Sequence, residues 1–223
     1  MCNHYRTDRQ AAEWTGQMVP GVTIPLPLPE FPEHVYPKYL APIVTQAGRG
    51  RSLVAKAWGI PVAIQGAKGQ RLVKPVTNAR NDKLTGFTWR HAVRERRCLI
   101  PATGYYEPGL GPVGAKGEIL FTVKERVCFF VAGLWEDDAF TMVTTEPNPF
   151  VAQFHDRMPV VLDDGDALAW LGDEPLAGSD LAHLCRGLPA EVLHHETLPP
   201  KLKITRPVQE PKPPAQEDGP LLL

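Results

Sequence analysis

The sequence has little of what would place a protein in a membrane. Its longest apolar run, Val127–Trp135, has nine residues, whereas a helix that crosses a bilayer needs about 20. The first ten residues are polar and contain no apolar core of the kind that signal peptides carry. We therefore expect a cytoplasmic protein that has no membrane partner.

Cysteine is also scarce. The chain has four cysteines, at widely separated positions and with no pair in CxxC spacing. This pattern argues against a zinc site and against a disulfide framework, and we expect neither a metal nor a cofactor. Cys98 and Cys128 lie within apolar runs, which predicts that both are buried as small hydrophobic side chains. Cys2 differs because it lies in a polar segment, one residue from the start.

The net charge of −1 hides an uneven distribution of charge. Between Lys38 and Ile100 the chain has 13 Lys and Arg residues against Asp82 and Glu95, a net charge of +11, and the rest of the chain carries −12. Such asymmetry is typical of a protein that binds a polyanion on one face of an otherwise acidic body. The alternative is that these charges scatter over the folded surface, and charge alone does not decide between the two.

The residue pattern predicts a mixed fold of short elements. Seven prolines in residues 20–42 exclude regular helix there and favour an extended surface segment. Leu53–Ile64 has strand composition with a break at Gly59–Pro61. Glu118–Lys124 and Val127–Trp135 are predicted to pair as a hairpin. Further strands are predicted at Cys98–Tyr106, Phe140–Thr145 and Met158–Leu162, and short helices at Asn148–His155, at Asp164–Leu171 and from a Ser179 cap to about Arg186.

One predicted helix carries the basic character of the chain. Thr85–Arg97 would place Arg90, Arg94 and Arg97 on a single face. Short strands mixed with short helices indicate the α+β class, with a mostly antiparallel β core in a single domain and flanking short helices. We place this domain at residues 2–205 and expect the Pro-rich, polar residues 206–223 to be a disordered tail.

Cys2 is a candidate nucleophile because aminopeptidases remove Met1 when the second residue is small. The new terminus would carry an α-amine, with an ordinary pKa of about 7.7 to 8.0, beside a thiol. With an aldehyde, the amine condenses to an imine and the thiolate closes onto the imine carbon to give a five-membered thiazolidine. The second step is intramolecular, so its effective molarity can reach roughly 10⁵ M. The alternative is that a cysteine at position two is incidental.

Three other polar residues are candidates for the same chemistry. Glu107 follows an apolar strand and can act as a general acid–base if Tyr105 and Tyr106 raise its pKa. His155 lies between a predicted helix and a predicted strand and can relay protons near neutral pH. The amide of Asn78, in the basic segment, can orient a reacting group. For each residue, a purely structural role is the alternative.

Several strings in a fixed order carry a family resemblance. They are the N-terminal Cys2, AWG at residues 57–59, NAR at 78–80, RRCLIPATGYYEP at 96–108 and FHDRMPVVL at 154–162. Together they resemble the SOS response-associated peptidase (SRAP) family, from Cys2 to about Leu162 and plausibly through the next two helices. RRCLIPATGYYEP is the most specific of them.

The resemblance implies an abasic-site processing enzyme, with activities of the hydrolase and lyase type. Such a protein senses abasic sites in single-stranded DNA and forms a thiazolidine DNA–protein crosslink that shields them. Met1 would leave by autoproteolysis or by an aminopeptidase. We accordingly expect a monomer, associated with the nucleoid, whose partner is abasic single-stranded DNA.

The resemblance also implies roles for individual residues. Cys2 would be the nucleophile, and Asn78 would orient its adduct. Glu107 would protonate the ring oxygen of the sugar as it opens to its aldehyde. His155 would relay protons during imine formation and crosslink reversal.

Three further positions would contact or support the DNA. The guanidinium of Arg80 can hold a phosphate through two hydrogen bonds, and the resemblance gives this role to Arg80 and Arg157. Trp58 would pack near the DNA groove.

The chain departs from the family pattern in two places. The family commonly begins MCGR, whereas Asn3 and His4 stand here, so an expected phosphate-binding arginine is missing, and nearby Arg6 is a possible substitute. Pro108 replaces the aromatic residue that usually follows the glutamate. These changes bear on DNA affinity and on the preferred DNA structure rather than on the chemistry.

Two other functions are compatible with parts of the sequence. A cysteine peptidase or N-terminal-nucleophile hydrolase would use Cys2 and His155 as a dyad, but it lacks a clear oxyanion-hole signature and leaves the basic segment unexplained. A non-enzymatic single-strand binder would use the basic helix with Trp58 or Trp89 as stacking platforms, and it would require nothing of Cys2.

Overall fold

A computed structural model describes residues 2–48, 50–65, 67, 69–110 and 116–198. The described helices are α1 Arg9–Met18, α2 Arg90–Glu95, α3 Asp164–Leu171 and α4 Gly178–Leu184. The described strands are β1 His4–Arg6, β2 Val22–Thr23, β3 His34–Val35, β4 Leu40–Ala47, β5 Gly50–Trp58, β6 Ile60–Gln65, β7 Arg71–Val76, β8 Asn78–Arg80, β9 Arg97–Ala102, β10 Gly104–Leu110, β11 Lys116–Val123, β12 Phe129–Glu136, β13 Ala139–Thr145, β14 Met158–Pro159, β15 Val161–Leu162 and β16 Leu193–Thr197.

One sheet carries the N terminus in its interior. Its strand order is β16–β11–β10–β1–β3, and every neighbouring pair is antiparallel. The register places Tyr5 opposite Tyr105 and Glu107 opposite Ile119. A strand of three residues is therefore held on both sides by backbone hydrogen bonds.

The second sheet is larger and closes on itself. Its order is β14–β13–β12–β9–β4–β5–β2, and an additional pairing joins β13 to β5. That pairing is parallel and completes a ring of five strands, β13–β12–β9–β4–β5. The three-residue strand β8 pairs in parallel with β13, Asn78 opposite Met142. Most other pairings are antiparallel, so the predicted α+β fold with a mostly antiparallel core is confirmed.

Alternate side chains of β9 enter two separate apolar clusters, one on each face of the strand. All six of its residues are buried. Cys98 and Ile100 belong to an apolar cluster that also holds Tyr5 and Phe121 of the five-stranded sheet. Leu99 faces the opposite way, into a cluster that includes residues of all four helices. The predicted burial of Cys98 is confirmed, as is that of Cys128.

Gly59 explains the predicted break in the Leu53–Ile64 strand. Its φ of +127° lies in a region that other residues avoid. A Cβ at this position would lie 2.8 Å from the Cβ of Pro75. The chain therefore turns between β5 and β6 only because glycine stands there.

The predicted hairpin of Glu118–Lys124 with Val127–Trp135 is wrong. Strand β11 pairs with β10 and β16, whereas β12 pairs with β9, β13 and β15, so the two lie in different sheets. The physical reason is in β12, whose first six residues are all buried. A strand buried on both faces needs neighbours and cover on each side, which a surface hairpin does not provide.

The predicted helix Thr85–Arg97 is shorter than expected, and its basic face is incomplete. Helix α2 begins only at Arg90, after a series of turns, and it ends at Glu95. Arg97 belongs to β9 and is 4% exposed. Its guanidinium donates hydrogen bonds to the carbonyl oxygens of Trp170, Val93, Gly172 and Glu174. It fastens the loop after α3 and does not face a ligand.

The remaining local predictions agree with the structure only in part. The strand predicted at Cys98–Tyr106 is divided between β9 and β10, which lie in different sheets, and the N-cap of α4 is Ala177 rather than Ser179. Residues 20–42 contain only short strand segments between extended loops, and α3 spans Asp164–Leu171. A 3₁₀ turn, Val151–Gln153, lies within the helix predicted at Asn148–His155. The predicted tail lies outside the described residues. Among the described helices, none has the length and apolar character to cross a membrane.

Candidate active site

Cys2 lies two residues before the interior strand β1 and is almost fully buried, with 1% of its surface exposed. Its Sγ atom is 3.4 Å from the carbonyl oxygen of His4 and 3.9 Å from that of Tyr106. Burial raises the pKa of the Cys2 thiol far above its ordinary value, and the nearby Glu107 carboxylate raises it further. The resting thiol is therefore protonated, and a base must take its proton before it attacks.

Asn78 fixes the backbone of Cys2 from the other sheet. Its Nδ2 atom donates to the carbonyl oxygen of Cys2 at 2.8 Å and lies 2.9 Å from the Oγ1 atom of Thr77. Within the described residues, no group donates a hydrogen bond to the buried Oδ1 atom of Asn78. That oxygen can accept a hydrogen bond from a group that enters the site.

Glu107 brings a carboxyl group into the same region from β10. The residue is 1% exposed. Burial raises its pKa from 4.5 to about 7, and the Asp156 carboxylate adds to the increase. A group with this pKa exchanges protons readily at neutral pH. The raised pKa expected for Glu107 is thus confirmed, and desolvation is its main cause.

His155 approaches the same carboxyl from the loop before β14. Its Nε2 atom is 3.6 Å from Oε2 of Glu107, longer than a hydrogen bond but within reach of one after a small movement. The backbone nitrogen of Arg157 lies 3.0 Å from Nδ1. Two acceptors also contact this nitrogen, the Arg157 carbonyl oxygen at 3.2 Å and the Asp156 Oδ1 atom at 3.0 Å, and both call for a proton on Nδ1. The neutral tautomer with its proton on Nδ1 satisfies both acceptors and leaves Nε2, which faces Glu107, able to accept a proton.

Burial lowers the pKa of His155, so the neutral ring is favoured near pH 7. Asp156, whose Oδ1 atom is 3.0 Å from Nδ1, opposes that shift. The only sequence signal for this carboxylate is its position next to His155. The site therefore combines a thiol, an amide, a protonatable carboxyl and a neutral imidazole from four separate segments.

The residues expected at the DNA differ in their exposure. Arg80 is about half exposed and forms a forked ion pair with Asp82, with Nε–Oδ1 and Nη2–Oδ2 distances of 2.9 and 3.1 Å. It follows Asn78 by two residues in β8, so both side chains lie on the same side of that strand. A phosphate that binds Arg80 would compete with Asp82.

Arg157 is buried, with 6% of its surface exposed. Its guanidinium donates to Glu146 Oε1 at 2.8 Å, to Asn81 Oδ1 at 2.8 Å and to the Thr144 carbonyl oxygen at 2.6 Å. In this conformation it braces the loop that carries His155.

The tryptophans do not form a stacking surface. Trp58 is fully buried and Trp89 is 7% exposed, which contradicts their use as stacking platforms for bases. The Nε1 atom of Trp58 donates to the Thr77 carbonyl oxygen at 2.9 Å, and its ring meets the edge of Tyr5 at a centroid distance of 5.1 Å. Trp58 thus supports the site from within the core.

The fold and the site define an α+β protein that gathers an N-terminal cysteine, a carboxyl of raised pKa and a histidine in one buried place. The family model of the SOS response associated peptidase (SRAP) matches residues 1–203. The chain belongs to this family.

Curated relatives cover part of the chain. The abasic site processing protein YoaM of Bacillus subtilis is 32% identical over 115 residues, which are 47% of this chain and 51% of that protein. The abasic site processing protein YobE of the same species is 30% identical over 135 residues, 56% of this chain and 60% of that protein. The chain thus spans little more than half the length of the curated relatives it matches.

Solved structures share the fold along nearly the whole chain. A protein from Bacteroides thetaiotaomicron has a TM-score of 0.70 at 20% identity, covering 89% of this chain and 92% of that one. A protein from Bordetella bronchiseptica has a TM-score of 0.68 at 23% identity, covering 89% and 100%. At such identities the likeness shows the fold alone.

Proposed function

We propose that the mature protein, which begins at Cys2 after loss of the initiator Met1, captures abasic sites in single-stranded DNA as a covalent thiazolidine. The observation that carries this proposal is the meeting of Cys2, Asn78, Glu107 and His155 in one buried site. The names of the related Bacillus proteins, which refer to abasic site processing, support the substrate.

The first step opens the sugar. An abasic deoxyribose is mostly a closed hemiacetal, which reacts as an aldehyde only after its ring oxygen receives a proton and the anomeric hydroxyl loses one. Burial raises the pKa of Glu107 to about 7, so the carboxyl can hold a proton near neutral pH and supply the first proton. His155 can accept or return a proton through Nε2.

The second step forms two bonds to the former aldehyde carbon. The α-amine of Cys2 adds to the carbonyl carbon, and loss of one water leaves an imine. The imine nitrogen carries the proton released by the anomeric hydroxyl. The Cys2 sulfur then attacks the imine carbon, the electron pair of the C=N bond moves to nitrogen, and the thiol proton passes to the Glu107 carboxylate. The product is a thiazolidine, and one water is released overall. Asn78 donates a hydrogen bond to the Cys2 carbonyl oxygen at 2.8 Å. This bond would hold the amine and the thiol of Cys2 in position beside the sugar.

The basic residues would guide the strand into the site. Arg80 is exposed beside Asn78 and can exchange Asp82 for a phosphate. Arg157 would act indirectly, because its guanidinium is already occupied by Glu146 and Asn81. The binding would be electrostatic and independent of base sequence.

Intact mass spectrometry tests the proposal. The mature protein is mixed with a single-stranded oligonucleotide that contains one abasic site, and an undamaged oligonucleotide serves as the control. We expect a one-to-one adduct whose mass equals protein plus DNA minus one water, together with free protein that lacks Met1. The absence of an adduct, or an equal yield from Cys2→Ala, would refute the proposal.

A further inference from the structure

The side chain of His4 is buried and forms the centre of a partly buried hydrogen-bonded chain. Its Nδ1 atom lies 2.9 Å from Oε1 of Glu118 on β11, and its Nε2 atom lies 2.9 Å from Nδ1 of His34 on β3. His4 is 1% exposed. The contacts link β1 to strands on both of its sides, including one that it does not pair with directly.

Two tyrosines enclose the same ring. The Tyr106 ring stacks on His4 with a centroid distance of 3.8 Å and an interplanar angle of 6°, and Tyr36 stacks on the other face at 4.2 Å and 16°. Both ring faces and both ring nitrogens of His4 are thus in contact with other groups. A side chain held in this way has a single position.

Hydrogen-bond chemistry restricts which residue can take this place. The Glu118 carboxylate accepts, so Nδ1 of His4 must donate. In the neutral ring Nε2 then accepts from His34, and in the protonated ring it donates to His34. An arginine has donors only and cannot accept from His34, and a phenylalanine can stack but makes neither bond. The contact thus uses both the flat shape and the two-nitrogen chemistry of histidine.

His4 is linked to both reacting groups, through its backbone to Cys2 and through its stacked ring to the neighbour of Glu107. The carbonyl oxygen of His4 is the nearest hydrogen-bond partner of the Cys2 Sγ atom, at 3.4 Å. Tyr106, which stacks on the ring, immediately precedes Glu107 in β10. The strand β1 has only three residues, and chain termini fray unless they are fastened. His4 therefore contacts both the segment that carries Cys2 and the residue next to Glu107, and it can set the position of both.

We propose that His4 is a positioning residue, which fixes the N-terminal strand so that the amine and thiol of Cys2 stay in register with Glu107. Its effect on the reaction rests on the function proposed above. The geometry assigns to His4 a role inside the protein and not a contact with a DNA phosphate.

The test separates the rate of reaction from DNA affinity. His4→Phe keeps the stack and removes both hydrogen bonds, and His4→Gln retains a donor. The rate of crosslinking is measured at saturating abasic single-stranded DNA, and affinity is measured with a tetrahydrofuran abasic analogue that cannot react. We expect His4→Phe to react tenfold to a hundredfold more slowly, the range that small misplacements of reacting groups produce. His4→Gln should be intermediate, and affinity should change less than twofold.

Two further variants distinguish a positioning role of His4 from an unspecific effect of the substitution. His194→Ala, an exposed histidine on β16 of the same sheet, should react at the wild-type rate. If His4→Phe does not fold, His34→Ala removes only the outer bond and should slow the reaction in the same direction. A wild-type rate in these variants, or a loss confined to affinity with a weaker salt dependence, would overturn the proposal in favour of a phosphate contact.

Amide hydrogen exchange separates this proposal from the chemistry. In DNA-free protein, His4→Phe should speed exchange of the β1 amides at least tenfold, while the β12 amides stay unchanged. If the wild-type protein forms no crosslink but β1 loosens in this way, the proposed function fails and the positioning role stands. Unchanged exchange in β1 would refute the positioning role.

Discussion

Replacement of Glu107 by glutamine should stabilise the protein, by an amount that grows with pH. The carboxyl is 1% exposed, and burial raises its pKa from 4.5 to about 7. The folded state therefore binds its proton more tightly than the unfolded state does. Stability is greatest below pH 4.5, where both states are protonated, and it is lost as pH rises towards 7. Glutamine has the shape of the protonated acid and no charge to desolvate.

The size of the effect follows from the shift. At about 1.4 kcal/mol per pKa unit, a shift from 4.5 to about 7 corresponds to about 3 kcal/mol above pH 7 and to less than about 1 kcal/mol at pH 5. In a chain of this length each kcal/mol moves the melting temperature by about 2–4 °C. We expect Glu107→Gln to melt roughly 6–12 °C above wild type at pH 8 and nearly with it at pH 4.5.

Thermal unfolding across pH 4.5 to 8 measures this difference, for example by circular dichroism. The matched control is Glu13→Gln, since Glu13 is exposed on α1 and its replacement should move the melting temperature little at any pH. A difference for Glu107→Gln that is constant across pH, or a destabilised variant at pH 8, would contradict the argument that burial sets the pKa of Glu107. Crosslinking by this variant should also be about 10²- to 10⁴-fold slower while reaching a similar final yield.

Three further predictions concern the proposed reaction. Cys2→Ala should abolish the stable adduct, and Cys2→Ser should form at most a slower, weaker one, because a hydroxyl is a poorer nucleophile than a thiolate; a mass-spectrometric time course checks both. His155→Ala should slow crosslinking and also reversal of the finished adduct, measured by transfer to excess competitor DNA, and wild-type rates in both directions would exclude the relay. Arg80→Ala should weaken binding equally for all sequences and lower the slope of log affinity against log salt by about 0.7, whereas the exposed Lys124→Ala should not.

The site could be predicted from sequence because its members carry chemistry that local strings reveal. In the sequence, Cys2 lies in a polar segment, unlike Cys98 and Cys128, and Glu107 follows two aromatic residues. Such features are local, but folding changes their setting, since Cys2 joins the apolar cluster that holds Cys98 and Glu107 lies within β10. The fold class followed in the same way, from the frequency and length of apolar runs rather than from any pairing.

Strand pairing and exposure could not be predicted, because both depend on distant neighbours. The hairpin prediction failed because β11 and β12 are adjacent in sequence yet each finds its partners in a different sheet. Arg97 looked like part of a basic face, but it fastens a loop by donating to buried carbonyl oxygens. Trp58, predicted to pack near the DNA groove, is instead fully buried in the core. A charge count or an aromatic position does not record which side of a strand faces the core.

Burial itself orders the proton transfers in the proposed reaction. The Cys2 thiol and the Glu107 carboxyl are both buried, and ionised Glu107 raises the pKa of the thiol further, so the two do not carry negative charge together in the resting site. Glu107 therefore has to give up its proton first, to the ring oxygen of the sugar. As a carboxylate, Glu107 is then the base that the thiol needs. It can take the Cys2 proton as sulfur closes onto the protonated imine, whose positive charge offsets the negative charge of the carboxylate. Glu107 ends the cycle protonated, as it began. The burial that keeps the Cys2 thiol protonated also favours the protonated form of Glu107, and in the proposed reaction the DNA sugar supplies the groups with which both exchange their protons.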